Sequence, residues 1–504
     1  MVRHAAVFIV VLSHGALAQR GASSPEAQRH YVLGTQHEAR RELDEAARAY
    51  QEALRLEPRL AVAHDRLGFV YGLQGRTEAA VAQFEIAREV DPGLFDAHYH
   101  LGATLWWTGE TGRALEALAI AVRLRPDHAE ARYYLGLSLK KQGKLLDAID
   151  QLEASARLNA SIGATALQLG LALNEAGDVE GAVTELRRAV SRDPASREAR
   201  NALGLALLQR GDGAAAADLF RALVAEHPSF HTGRLNLGTT LMQRGDLDGA
   251  SAVLRELITR DPGNAEAHYN LGVTLKQQDD FAGAEAALAR AADLDPTLAD
   301  ATFTLGVVFW QTGRPVDAAA SFRETIARRP GWDEAHYMLG TVLRQLGHRE
   351  AAMAELREAV RLRPSSAEAH LSLGQMLQQS GDRAGASAAF DEARRLNALK
   401  AAVQASTFAV GVGRGRIRDG DVAGAVAEFQ RAVSLAPDNF EAHYELAKAF
   451  AAMDRQDAAR KHLLEARRLA PHLRFSIPKS QRPIPNSQTP KPQTPKPVKP
   501  PKHR

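Results

Sequence analysis

The chain has 504 residues, 45% of them apolar and 24% charged, with a net charge of +3 and no cysteine. The missing cysteines exclude disulfides, thiolate nucleophiles, cysteine-ligated metals and the lipid-bearing cysteine of a bacterial lipoprotein. Eight Lys or Arg and no acidic residue fall between Arg474 and Arg504, so subtracting eight from +3 leaves the rest near −5, a charge that argues against a nucleic-acid-binding body.

Residues 1–18 read as an export signal. Arg3 and His4 precede the apolar run AAVFIVVL (5–12), and Ala16-Leu17-Ala18 is a small-x-small cleavage pattern. The run is too short to span a bilayer comfortably, and no later stretch reaches that length, so the mature chain is expected to carry no transmembrane span. The expected location is outside the cytoplasm, periplasmic or secreted. A short lead (19–26) follows.

From residue 27 the chain repeats. A glycine, usually after leucine, recurs every 34 residues from Gly34 through Gly204 and Gly306 to Gly374, eleven times. Twelve residues after each stands an alanine, from Ala46 to Ala386, and four later often a large apolar residue such as Tyr50, Phe84 or Phe322. Proline closes most repeats, as at Pro58, Pro262 and Pro364. Segments such as AEAHYNLGVTLKQQ (265–278) and LDGASAVLRELITRD (247–261) have apolar residues at helical spacing. A Gly-Asp turn separates the two segment types, and proline stops the second. Each repeat is thus a pair of antiparallel helices. Glycine inside a helix costs up to about 1 kcal/mol, so its recurrence needs a packing reason: close approach of the second helix.

The pattern resembles the tetratricopeptide-repeat (TPR) family over residues 27–473, with eleven repeats in 27–400 and two more in 406–473. That resemblance implies an all-α, right-handed superhelical solenoid with a concave groove for polypeptides. Residues 401–405 are an insertion. Ala160 and Ala398 stand where closing prolines are expected, and Gly411, Gly413 and Gly415 crowd one helix, so a soft hinge is expected at 398–415. Residues 474–504 are rich in Pro and Lys and are expected to be disordered, with a polyproline-II bias and an affinity for anionic surfaces.

No phosphate loop, zinc-protease helix or nucleophile elbow occurs, and GVGRGR (411–416) does not follow a strand. No cofactor, metal site or enzymatic activity is expected. His64, His98, His268, His336, His370 and His443 stand four residues before the glycine position, where the family has a large aromatic, and are expected to pack as rings.

Candidate partner-binding residues lie on the first helices, which face the groove in the resembling family. Gln209, Gln243, Gln277, Gln311, Gln345 and Gln379 follow their glycines by five residues and could grip a peptide backbone, each bond adding about 0.5–1.5 kcal/mol. Tyr99, Tyr133, Tyr269, Phe303 and Tyr337 precede theirs by three, and Trp106 and Trp310 follow by four, as aromatic anchors. Asn236 and Asn270 resemble the asparagines lining the TPR arm of O-linked N-acetylglucosamine transferases, while the carboxylate clamp of TPR co-chaperones is not recognisable. The expected function is a non-enzymatic scaffold for a protein or peptide, with no nucleic-acid partner. The alternatives are a recognition arm for a separately encoded enzyme such as a glycosyltransferase, or an envelope assembly factor.

Overall fold

The computed structural model describes residues 24–159, 163–471 and 473. The expected export signal (1–18), most of the lead (19–26), Ala160 and the expected disordered tail (474–504) lie outside them. Among the described residues there are 25 helices and no strand.

Two compact units divide the chain after Leu294. The first opens with α1 (Pro25–Ala39), α2 (Leu43–Leu56), α3 (Ala61–Leu73), α4 (Thr77–Val90), α5 (Phe95–Thr108) and α6 (Thr111–Leu124). It continues with α7 (Ala129–Lys141), α8 (Leu145–Leu158), α9 (Gly163–Glu175), α10 (Val179–Arg192) and α11 (Arg197–Gln209). It closes with α12 (Gly213–Glu226), α13 (His231–Gln243), α14 (Leu247–Arg260), α15 (Ala265–Gln277) and α16 (Phe281–Leu294). The second unit holds α17 (Ala299–Gln311), α18 (Pro315–Arg328), α19 (Asp333–Gln345), α20 (Arg349–Leu362) and α21 (Ala367–Gln379). It ends with α22 (Arg383–Arg418), α23 (Val422–Leu435), α24 (Phe440–Ala452) and α25 (Gln456–Leu469).

Each odd-numbered helix up to α21 packs against the next to make one pair. The recurrent glycine makes this possible. A Cβ built on Gly306 would stand 2.7 Å from the ring of Phe322, and one on Gly272 2.5 Å from Leu288. The alanines from Ala46 to Ala386 are buried in the same contact. Between helices, Gly245 takes a φ of +79°, which a side chain would resist, and Asp246 caps α14 by accepting from the Gly249 amide at 3.0 Å. At the other end, α2 stops at Leu56, and Glu57, next to Pro58, leaves the helical region at φ −137°.

The six histidines do more than pack as rings. Nε2 of His64, His98, His268, His336, His370 and His443 lies 2.9–3.2 Å from the carbonyl of Pro58, Pro92, Pro262, Pro330, Pro364 and Pro437, respectively. Each ties a first helix to the proline closing the preceding repeat. Arg132 and Arg234 make the equivalent bond to Pro126 and Pro228.

The expected hinge at 398–415 is instead helical throughout. The insertion (401–405) lies inside α22, a rod of 36 residues that joins the second helix of repeat 11 to the first helix of repeat 12. After Arg395-Leu-Asn-Ala the chain runs Leu-Lys-Ala-Ala-Val-Gln-Ala, strong helix formers without proline, so nothing stops the helix. The same Arg-Leu-Asn-Ala string at 157–160 is followed by Ser-Ile-Gly, and there α8 ends at Leu158. Of the three glycines, only Gly413 makes the usual contact, with Phe429, while Gly411 and Gly415 face open space.

Candidate functional site

Three and two residues before the glycine, side chains of neighbouring first helices are linked in two places. Asp65 Oδ1 lies 2.8 Å from His100 Nδ1, joining α3 to α5. Asn236 donates to Asn201 Oδ1 at 2.7 Å, the same 35-residue offset, between α13 and α11. Closer to the N-terminus, Glu38 accepts from Tyr50 Oη at 2.8 Å and pairs with Arg66.

Burial pulls the His100 imidazole down, but the Asp65 carboxylate outweighs it, and the net shift is upward. His98 and His128 go the other way, chiefly by burial. The His100 ring stands 5.2, 5.6 and 5.4 Å from those of Phe69, Phe84 and Tyr99.

Aromatic rings concentrate on α5 and α7. Trp106 meets Trp107 edge-on at 5.0 Å and Tyr134 at 5.7 Å, and Tyr134 meets Tyr133 at 5.3 Å. Trp107 is 59% exposed, while Trp106 is half-buried and its indole Nε1 has no hydrogen-bond partner. Tyr99 stacks on Phe95 and donates to Glu130 Oε2 at 2.9 Å. Burial pushes the Tyr133 phenol up to about 12 and that of Tyr99 well above its ordinary value, helped there by Glu130. Both stay protonated at neutral pH. The ledge combines apolar ring faces with polar edges.

Gln209, Gln243, Gln277, Gln311, Gln345 and Gln379 are each the last residue of their helix and are exposed. Asn270 is half-buried, and its backbone carbonyl takes the Thr274 hydroxyl at 2.7 Å. Tyr269 is half-buried on α15. In the second unit, Phe303 stacks on Trp332 at 4.6 Å and meets Phe322 at 5.6 Å, and Tyr337 packs against the same core, so these two rings hold repeats together. Trp310 is 40% exposed.

Among the described residues, no three His, Asp or Glu side chains gather as a metal site, and no helix is long and apolar enough to cross a membrane. Sequence reasoning points to Tyr133 and to Trp106 with its chain neighbour Trp107, and the structure adds Tyr134 to complete the ledge. The Asp65–His100 pair lies outside that reading, and its 35-residue offset, one more than the repeat, is the signal that points to it.

Comparison with known proteins agrees with the repeat. Residues 104–161 and 167–229 match a tetratricopeptide-repeat model, residues 416–454 a TPR-repeat model, and residues 208–409 the C-terminal domain of cilia and flagella-associated protein 70. No curated protein matches the chain. Among solved structures, MamA is 26% identical, covering 33% of this chain and 96% of its own, with a TM-score of 0.32. The Cut9–Hcn1 hetero-tetramer of the APC/C is 15% identical and covers 89% of this chain and 94% of its own, with a TM-score of 0.34. YrrB, described as a TPR protein with an unusual peptide-binding site, is 20% identical, covering 37% and 97%, with a TM-score of 0.36. With its helix pairs built on the Leu-Gly, Ala and Pro frame and with repeat models matching along it, the chain belongs to the tetratricopeptide-repeat family.

Proposed function

We propose that the protein is a non-enzymatic scaffold that holds an extended segment of another polypeptide against its first helices. The observation that carries this reading is the ledge of Trp106, Trp107, Tyr133 and Tyr134, fixed by mutual ring contacts and exposed most at Trp107. Rings already ordered lose little freedom on binding, which favours affinity. The exposed glutamines at the helix ends would add hydrogen bonds to the partner's backbone. Export rests on the sequence of residues 1–18 and would put this scaffold in the envelope or outside the cell.

The test compares partner capture from the exported fraction by wild type, Trp107→Ala, and a variant with Gln209, Gln243 and Gln277 changed to Ala. Truncating a central tryptophan costs about 2 kcal/mol or more of binding, so Trp107→Ala should weaken the partner's affinity roughly 30-fold with helicity and melting unchanged. Unchanged capture by both variants would remove the first-helix face as the site. A partner that is itself an enzyme would favour the recognition-arm reading.

A further inference from the structure

Within the second unit, the first helix of a pair buries one face against the second helix of the pair before it. Ala335, Leu339 and Val342 of α19 are buried this way, as are Ala369, Leu373 and Met376 of α21 and Ala442, Leu446 and Ala449 of α24. The equivalent residues of repeat 12 are Phe408, Val412 and Gly415, and they are not buried: Phe408 is 72% exposed, the most exposed of the chain's large apolar side chains among the described residues. The opposing surface is open too. The residue sixteen after the repeat glycine is fully buried at Phe322, Leu356 and Phe429, but Phe390, its counterpart in repeat 11, is only half-buried. Both openings have one cause. The second helix of repeat 11 and the first helix of repeat 12 are the single rod α22, and a straight helix cannot fold back on itself.

These surfaces are the two halves of the joint made between other consecutive repeats. At ordinary joints an alanine of the second helix packs with an alanine ten residues on, as Ala53 with Ala63, Ala121 with Ala131 and Ala189 with Ala199. Adding the five inserted residues pairs Ala393 with Phe408, and the midpoint falls at Lys400–Ala401. Phe390, Asn397, Ala401, Phe408, Val412 and Gly415 recur at spacings of seven, four, seven, four and three, so they share one face of the rod. Beside it, a Cβ on Gly411 or Gly415 would meet nothing within 4 Å, which leaves room for close helix approach.

We propose that a second copy of this chain covers this face, with two α22 helices antiparallel about a twofold axis near Ala401. Each copy then supplies, against the first helix of repeat 12 of the other, the preceding second helix that this helix lacks. The occupant follows from the repeat itself: the face is built for a second helix of this sequence type, and the matching surface, left partly open at Phe390, lies on the same rod. Such an exchange is self-complementary and closes at two copies.

The chain has no cysteine, so introduced thiols report the contact without background. In the full-length protein, Ala401→Cys is expected to give a cross-linked dimer with a short thiol-to-thiol reagent. Val403→Cys, exposed on the far side of the rod, is expected to give far less. Mixed copies carrying Asn397→Cys and Ala405→Cys should cross-link to each other, and Asn397→Cys alone should not, since only an antiparallel register joins 397 to 405. Wild type should sediment as a dimer and Phe408→Glu as a monomer of unchanged helicity. A wild-type monomer at every concentration overturns the proposal, as does Val403→Cys linking as fast as Ala401→Cys or Asn397→Cys linking with itself as readily as with Ala405→Cys. The cross-links, made with Phe408 intact, decide the matter even if Phe408→Glu fails to fold.

Discussion

Nε2 of His336 lies 3.1 Å from the carbonyl oxygen of Pro330, and Nδ1 of the same ring lies 2.6 Å from Glu355. One imidazole therefore joins three successive pieces of the second unit: the end of repeat 9, the first helix of repeat 10 and its second helix. A phenylalanine fills a similar volume but cannot make either bond. His336→Phe should destabilise the protein by about 1–3 kcal/mol, two lost hydrogen bonds at about 0.5–1.5 kcal/mol each. Denaturant melts of the two proteins measure this, and equal midpoints would show that the ring acts by packing alone.

Gly306→Ala is the sharpest test of the helix-pair contact. Alanine is the better helix former by about 1 kcal/mol, so intrinsic propensity alone favours the substitution. The new Cβ would stand 2.7 Å from the Phe322 ring, in a core with no room to yield. Overpacking of this kind costs about 1–3 kcal/mol, and a net loss of stability is expected. Thermal unfolding followed by circular dichroism reads the sign directly.

The Asp65–His100 pair should make the N-terminal repeats respond to pH. The imidazole titrates higher in the folded chain than in the unfolded one, because Asp65, with a smaller pull from Asp96, outweighs burial and Arg66. Its stabilisation is therefore fully present below the unfolded value of about 6.5 and is lost as pH rises through the higher folded value. His98 and His128, shifted down, act in the opposite sense: their contribution is present above about 6.5 and lost as pH falls. The readout is thus the difference between wild type and His100→Gln. That difference in melting temperature should shrink between pH 6 and pH 8, and a difference independent of pH would contradict the assignment.

Much of this architecture was legible in the sequence because a repeat states its packing many times over. Gly306 and Phe322, Gly204 and Phe220, and Gly34 and Tyr50 make one contact, and its recurrence announces a structural cause. What escaped was whatever occurs once or depends on neighbouring repeats. The missing proline and the crowded glycines suggest a soft hinge at 398–415, whereas the absence of proline is also what lets α22 run on. His336 and its equivalents occupy an aromatic's place, and nothing in one repeat shows that the ring reaches the proline of another. The Asp65–His100 bond spans 35 residues, and Trp107 and Tyr134 join one ledge only once α5 and α7 lie side by side.

The central claim is that a polypeptide partner lies against the first-helix face at the aromatic ledge. The most direct measurement places a photo-cross-linking amino acid at Trp107 on α5, and separately at exposed Arg157 on the second helix α8, and irradiates each protein with the exported fraction. A discrete polypeptide adduct that excess unlabelled protein suppresses is expected from position 107, and none from position 157. Equal adducts from both positions, or an adduct from 157 alone, would contradict the claim.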